Sequence, residues 1–425
     1  MKRYDSYKDS GVEWIGEVPS HWKVLRLKFA YIFKTGATPS SGKKEYYGGD
    51  FKWANIGDLT SKYVDDTAKH ITKEAISSCS MTINPIGTLM YSFKLSVGTV
   101  AFCSDEMYSN EAIASFIPQK NNLDYLYYAA PVFIIHNSNR NIYNAPILNQ
   151  DLIKNAIICL CPKYEQEQIA SFLDSKCGEI DKVISTQEKR IALLQELKQS
   201  IITHAVTKGL NPDVKMKDSG IEWIGEVPEH WKVCKIKRLS VVKRGASPRP
   251  IENPIYFDDN GQYSWVRIAD VTDSKKYLYS TTQKLSKLGS SLSVKMHPGE
   301  IFLSIAGTVG KPIITKIDCC IHDGFVWFPN LKIEPEYLYY IFLSGRPYLG
   351  LGKLGTQLNL NTETVGYISI PIPEGKEITD IVSYLDKRCA SIDTYISKAQ
   401  KEIELLQEYK QSLITEVVTG KRKVC

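Results

Sequence analysis

The stretch KDSGVEWIGEVPSHWKV at residues 8–24 returns as KDSGIEWIGEVPEHWKV at residues 217–233. Only two positions differ, Val12 against Ile221 and Ser20 against Glu229. A match of this length does not arise from composition, so the chain is a tandem duplication, and an internal repeat decides architecture before any single element does. The copies begin about half of the 425-residue chain apart, and everything that follows divides into two halves.

Downstream, residues 22–33 and 231–242 mix Val, Leu, Ile and Phe with Lys and Arg and read as short, half-exposed strands. Each ends in a basic, hydroxyl-rich Gly/Pro loop, KTGATPS at 34–40 and KRGASPR at 243–249. By residue type these are turns, with Gly supplying positive φ and Pro fixing φ. A solvated turn and a loop that contacts phosphate or base both fit them. Further on, WANIGDL at 53–59 answers WVRIADV at 265–271, with a short insertion in the second half. GTLMYS at 87–92 answers GEIFLS at 299–304, and SVGTV at 96–100 answers IAGTV at 305–309. Short apolar runs between Gly, Ser and Asn turns predict β-rich halves. YLYY at 125–128 and 337–340 opens short helices whose aromatics belong to the core.

The character then changes. Residues 165–207 contain one glycine and no proline. Apolar residues recur at Ile180, Ile184, Ile191, Leu194, Leu197 and Ile201, and in the second half at Ile392, Ile396, Ile403, Leu406, Tyr409 and Leu413. Spacings of three, four and seven predict a helix packed along another helix. At 1.5 Å per residue, about 40 residues make a helix of roughly 60 Å. LLQELKQS at 193–200 matches LLQEYKQS at 405–412, so each apolar stripe has a partner in the same chain, and an antiparallel pair relates the halves by a pseudo-twofold. The fold expected is α+β: two mixed, β-rich domains joined by two long helices in an antiparallel coiled coil. The boundaries expected are 1–160, 161–216, 217–373 and 374–425.

Composition narrows function. With 43% hydrophobic and 24% charged residues the chain is globular, and the apolar runs near 127–135 and 156–161 are too short to span a bilayer. No secretory leader is expected, and the ten cysteines form no framework, which suits reduced thiols in the cytoplasm. Cys159/Cys161 and Cys319/Cys320 lack a second pair at zinc spacing. The net charge of +6 is mild, so any nucleic-acid surface must be local. Catalytic motifs fail one by one. GTVGKP at 307–312 lacks the spacing and hydroxyl of a P-loop, and no Gly-x-Gly-x-x-Gly follows a strand. NPIY at 253–256 lacks the second proline of the base-flipping methyltransferase motif and falls opposite KEYY at 44–47. The Glu-x-Lys at 196–198 and 408–410 sits on the long helices without an upstream acid on a strand. Of the seven histidines only His21/His230 recur in the repeat, beside Trp22/Trp231. The residues describe a chain that binds or bridges. An enzyme with a diverged motif and a scaffold that binds only protein are the rival readings.

The repeated DSG(V/I)EWIGEVPxHW at 9–22 and 218–231, with EQxxIAxFLD at 165–174 opening the first helix, strongly resembles the specificity subunit of type I restriction-modification systems. In the second half Ile378 stands where that family has Gln, while Ile381, Leu385 and Asp386 keep the pattern. The resemblance spans essentially the whole chain. It implies a non-catalytic subunit in which each target-recognition domain reads one half of an asymmetric, two-part site in double-stranded DNA. It further implies helices that fix the spacer, docking of two methyltransferase subunits and then restriction subunits, and no cofactor here, with AdoMet, ATP and Mg²⁺ belonging to those partners. The expected DNA contacts in the first domain are Lys34, Thr35, Thr38, Ser40, Ser92, Lys94, Ser96, Asn110, Arg140 and Asn141. In the second they are Lys243, Arg244, Ser247, Arg249, Ser304, Lys311, His322, Asp323, Gln357 and Asn359. Trp14, Trp22, Trp223 and Trp231 are the expected subunit-docking residues. Under this reading, four residues inserted near 194–197 lengthen the DNA spacer.

Overall fold

The computed structural model describes residues 3–118, 121–349, 351 and 360–424. They form two compact units, Met1–Gln187 with Lys401–Cys425, and Glu188–Gln400. Each unit holds one β-rich half and a length of each long helix. The two helices run Lys163–Lys208 and Glu377–Val418, close to the stretches their apolar spacing predicts.

In the first unit the larger sheet has five strands, in the order Phe33–Thr35, Ile113–Phe116, Leu89–Ser92, Val100–Cys103, Tyr63–Val64. The last pairing is parallel and the others antiparallel, so the sheet is mixed. The second unit repeats the order with Lys243–Arg244, Phe325–Trp327, Ile301–Ser304, Pro312–Thr315 and Tyr277–Leu278, again with one parallel edge. A smaller sheet of three strands in the first unit and four in the second carries the counterpart strands Tyr47–Ala54 and Tyr263–Val266.

The repeated motif folds as a small hairpin, Tyr7–Asp9 on Glu17–Pro19 and Met216–Asp218 on Glu226–Pro228. The strand after it then pairs with the strand that leads into the long helix: Lys23–Arg26 with Ile157–Leu160, and Lys232–Lys235 with Ser369–Ile372. This pairing sets the end of the motif beside the first turn of the helix. Trp22 and Trp231 are fully buried there, and each indole N–H donates to a first-turn carboxylate, Glu165 at 2.9 Å and Glu377 at 2.5 Å. His21 and His230 hydrogen-bond the same two carboxylates.

Within each unit the helices run antiparallel. In the first, Lys410 Nζ meets both Asp181 oxygens at 2.7 and 2.8 Å while Gln187 meets Glu402 at 2.9 Å, so one helix climbs as the other descends. In the second, Lys198 pairs with Asp393, and Ile202 and Val206 join the core beside Ile381 and Leu385. The seam differs from expectation at one pair of positions. Leu197 and Tyr409 stand about half exposed, and the seam passes instead through Lys198 and Lys410. The heptad step from Leu194 reaches 198, so a lysine stem packs in the seam with its amine paired. The tyrosines expected in the core are there: Tyr125 OH donates to Cys159 O and Val418 O, and Tyr337 OH to Pro371 O and Val206 O. Among the described residues no helix is long and apolar enough to cross a membrane.

Candidate nucleic-acid interface

The two Gly/Pro loops lie against the strand or turn that carries a polar pair in which the halves differ, Asn110-Glu111 in the first and His322-Asp323 in the second. In the first unit Ala37 N–H donates to Ser109 O, and the Trp53 indole donates to Ala37 O. In the second, Ala246 N–H donates to Ile321 O and Gly245 N–H to Phe325 O. Neither loop glycine has positive φ. A Cβ on Gly36 would sit 1.7 Å from Ser109 O, and one on Gly245 2.2 Å from His322 O. The glycines are needed for close approach of two backbones, not for a left-handed turn.

This contact brings the loop hydroxyls and cations onto a carboxylate. Thr38 hydrogen-bonds Glu111, and Lys94 lies 3.9 Å from the same side chain. The Thr38 hydroxyl, chiefly, holds the Glu111 carboxyl below its ordinary range. Asn110 Nδ2 reaches Asn55 Oδ1 at 3.4 Å. In the second unit Asp323 takes the Glu111 position. Burial alone would raise its carboxyl, but the Ser247 hydroxyl at 3.0 Å and the neighbouring Arg244 and Arg249 outweigh it and hold it ionised. Arg249 donates to Asp323 at 3.0 Å with most of its side chain in water. The half-buried His322 accepts at Nδ1 from Gly324 N–H at 2.8 Å, which leaves the proton on Nε2, and burial lowers its pKa.

The expected contact residues do not all share this surface. Lys34, Thr35, Thr38, Ser40, Lys94 and Asn110 gather around the first loop, and Lys243, Arg244, Ser247, Arg249, His322 and Asp323 around the second. Ser96 is exposed in the turn after Lys94, where its carbonyl accepts from Thr99. Lys34 is already engaged, donating to Thr82 O and Ile83 O, and burial lowers its pKa. Ser92 and Ser304 are corrections. Both are fully buried strand ends whose hydroxyls are spent on Lys94 O and Ala306 O, so DNA cannot reach them. Lys311 donates to Thr272 O. Arg140 and Asn141 lie on a separate hairpin, Asn139–Arg140 on Pro146–Ile147, tied to the first loop's edge by Gln150 on Thr35. Gln357 and Asn359 lie outside the described residues.

Some surface residues escaped the reading of the sequence. Asn55 and Arg267 occupy one aligned position of WANIGD and WVRIAD, and that divergence was visible. Leu95, Ile142 and Tyr143 are among the most exposed apolar side chains, and a search for polar readers passes them by. The tryptophans also part company. Trp22 and Trp231 are interior, so direct contact with a partner is closed to them. Trp14 stacks on His136 at 3.8 Å with 36% of its surface exposed, and Trp223 packs half-buried on the core of its unit.

The profile of the type I restriction modification DNA specificity domain matches residues 19–195 and again 228–404. The chain belongs to that family. The specificity subunit of the MjaVIII type I enzyme of Methanocaldococcus jannaschii is 25% identical, over 96% of this chain and 94% of that one. The MjaIX specificity subunit of the same organism is 27% identical over 60% of this chain and 59% of its own length. A chain from a solved structure concerned with complex assembly and conformational transition of the type I R-M system aligns over 94% of this chain and 98% of its own, with a TM-score of 0.73 at 15% identity. That last likeness speaks for the fold alone. The two profile matches each take in one β-rich half and most of the long helix that follows it, so the specificity family and the tandem repeat describe the same duplication.

Proposed function

We propose that this specificity subunit is a non-catalytic reader of a bipartite, asymmetric site in double-stranded DNA. Each β-rich half reads one half-site through its Gly/Pro loop and the polar pair clamped beneath it. One observation carries the reading: the same loop-on-carboxylate arrangement occurs twice, while the residues at its centre differ, Asn110-Glu111 against His322-Asp323. A repeated scaffold with unlike readers suits two unlike half-sites, since base edges are read by side-chain donors and acceptors while phosphate contacts only set register. Lys94, Arg140, Lys243, Arg244 and Arg249 are the exposed cations for the phosphates. Recognition domains over about 1–160 and 217–373 alternate with helical regions over 161–216 and 374–425.

The long helices serve as the spacer ruler and the docking site for two methyltransferase subunits, with restriction subunits joining them. Support comes from exposed apolar side chains one helical turn apart at equivalent positions of both helices, Leu193 with Leu197 and Leu405 with Tyr409, a repeated pairing that suits a partner surface. Trp14 and Trp223 are the remaining motif tryptophans open to such a partner. AdoMet, ATP and Mg²⁺ would be bound by those partners, in the cytoplasm.

The test is to replace residues 217–373 with the corresponding half of another family member and map methylation by the complex with its methyltransferase subunit. One half-site is expected to change and the other to stay. A change in both, or in neither, contradicts the reading.

A further inference from the structure

A cluster away from the loops recurs in both units almost atom for atom. In the first, Lys62 Nζ lies 2.5 Å from Asp174 Oδ1 on the long helix, and Tyr128 OH donates to the same oxygen at 2.6 Å. The ammonium also faces the rings of Tyr63, Tyr127 and Tyr128 at 5.7, 5.1 and 5.9 Å. In the second, Lys276 Nζ and Tyr340 OH both lie 2.5 Å from Asp386 Oδ1, and the ammonium faces Tyr277, Tyr339 and Tyr340 at 5.3, 5.6 and 4.8 Å. One helical turn on, Cys177 and Cys389 are buried against the clusters and their thiols pushed up to about 11, so these neighbours are neutral. The next turn carries the seam pairs Asp181–Lys410 and Asp393–Lys198.

Three elements converge on each carboxylate: a loop of the recognition domain, its Tyr-rich helix, and the long helix. Lys276 is only 13% exposed and Lys62 24%, while each Asp remains over 40% exposed. An ion pair of this kind is a poor source of stability, because desolvating the charges offsets their attraction. What it supplies is direction, since a shared carboxylate oxygen fixes where both donors must sit. The halves have drifted apart at the reading positions but keep the same Lys, Tyr-Tyr, Asp and Cys here. Position along the helix adds the mechanical argument. The motif is pinned at Glu165 and Glu377, and the cluster sits nine residues further on in both units, about 13 Å at 1.5 Å per residue. Between these two points the helix packs on the domain through apolar side chains, Ile169 and Leu173 in one unit and Ile381 and Leu385 in the other, contacts that are not directional. Two polar anchors about 13 Å apart oppose the small rotations that such packing leaves open.

We propose that Lys62–Asp174–Tyr128 and Lys276–Asp386–Tyr340 are positioning latches that fix the angle of each recognition domain on its long helix and thereby make the complex strict about spacer length. These residues read no base and touch no phosphate. The inference rests on the bipartite reading above, and the two can fail separately.

The experiment maps methylation genome-wide by the full-length chain with its methyltransferase subunit, comparing wild type, Lys276→Gln, Tyr340→Phe and a core control, Phe302→Leu. If the wild type shows no bipartite motif, the reading falls and the latch that rests on it falls with it, whereas the outcomes below overturn the latch alone. Given a fixed wild-type spacer, Lys276→Gln and Tyr340→Phe keep both half-sites but raise methylation at sites one base pair longer or shorter by about tenfold, the scale of losing one charge-assisted hydrogen bond. Phe302→Leu lowers the melting temperature and leaves the spacer strict. Tyr340→Phe retains the packing and gives a readout even if Lys276→Gln fails to assemble. A spacer as strict in Tyr340→Phe as in the wild type, an altered half-site, or equal relaxation in Phe302→Leu would overturn the proposal.

Discussion

Arg249 and Lys34 both belong to a Gly/Pro loop, but the structure gives them different tasks. Arg249 has a single, largely exposed carboxylate partner, a kind of pair worth little in water, so a phosphate can compete for it. Lys34 holds two backbone carbonyls of its own unit. Arg249→Ala is therefore expected to weaken binding to all DNA sequences and to shallow the slope of log affinity against log salt by about 1. Lys34→Ala should lower thermal stability more than it changes that slope, and salt-dependent gel shifts with melting curves separate the two. His322 gives a pH signature. Its folded pKa is depressed by burial, with Asp323 pulling it up and Arg244 pushing it down, while in the unfolded chain it titrates near the ordinary value of about 6.5. Below that value the unfolded state binds more protons, so the His322 contribution is complete above about pH 6.5 and is lost as pH falls through and below it. His322→Gln should flatten this acid limb, and urea midpoints from pH 5 to 8 that fall as steeply as in the wild type would contradict it. Residue types also named Ser92 and Ser304, which the structure buries. A hydroxyl in a Gly/Ser-rich stretch looks like a reader until the sheet shows it to be a buried strand end.

Pinning of the motif to the helix start makes a differential prediction at the level of elements. Glu165 is 2% exposed and accepts from Trp22 and His21, with the Tyr4 and Tyr164 hydroxyls also in reach. Glu377 does the same for Trp231 and His230 but is 44% exposed. Glu165→Ala leaves buried donors unsatisfied, at a cost of about 1–3 kcal/mol, whereas water can replace Glu377. Denaturant midpoints should fall clearly further for Glu165→Ala than for Glu377→Ala, and equal shifts would show that burial does not govern the joint. The helices themselves were legible because the duplication acts as an internal alignment, showing which apolar positions recur together. Leu197 and Tyr409 were misplaced because an apolar count cannot see that a lysine stem fills the seam one residue later. Glycine was legible by position but not by cause: in Gly36 and Gly245 the constraint is a carbonyl more than seventy residues further along the chain, at Ser109 and at His322, which no local rule contains.

At the scale of the whole molecule, the duplication gives one chain two equivalent scaffolds, and on the proposed reading the residues that differ between them serve two different half-sites. The repeat, the β-rich halves and the paired helices could all be taken from the sequence, because each leaves a periodic trace. The proposed DNA-facing surface could not, because it is assembled from loops distant in sequence and depends on which side chains are already committed internally. Spacer control is the central claim. An insertion in one helix alone would drag Lys198 out of register with Asp393, so the change must be matched. Four residues added after Gln187 and four after Gln400 leave Asp181–Lys410 and Lys198–Asp393 each intact within its own unit. The added turn is about 6 Å, against about 3.4 Å per base pair of B-DNA. The most direct measurement is methylome sequencing of a host carrying this matched insertion with the methyltransferase subunit. The prediction is the wild-type half-sites with a spacer longer by about one or two base pairs. An unchanged spacer, or new half-sites at the old spacing, would contradict the account.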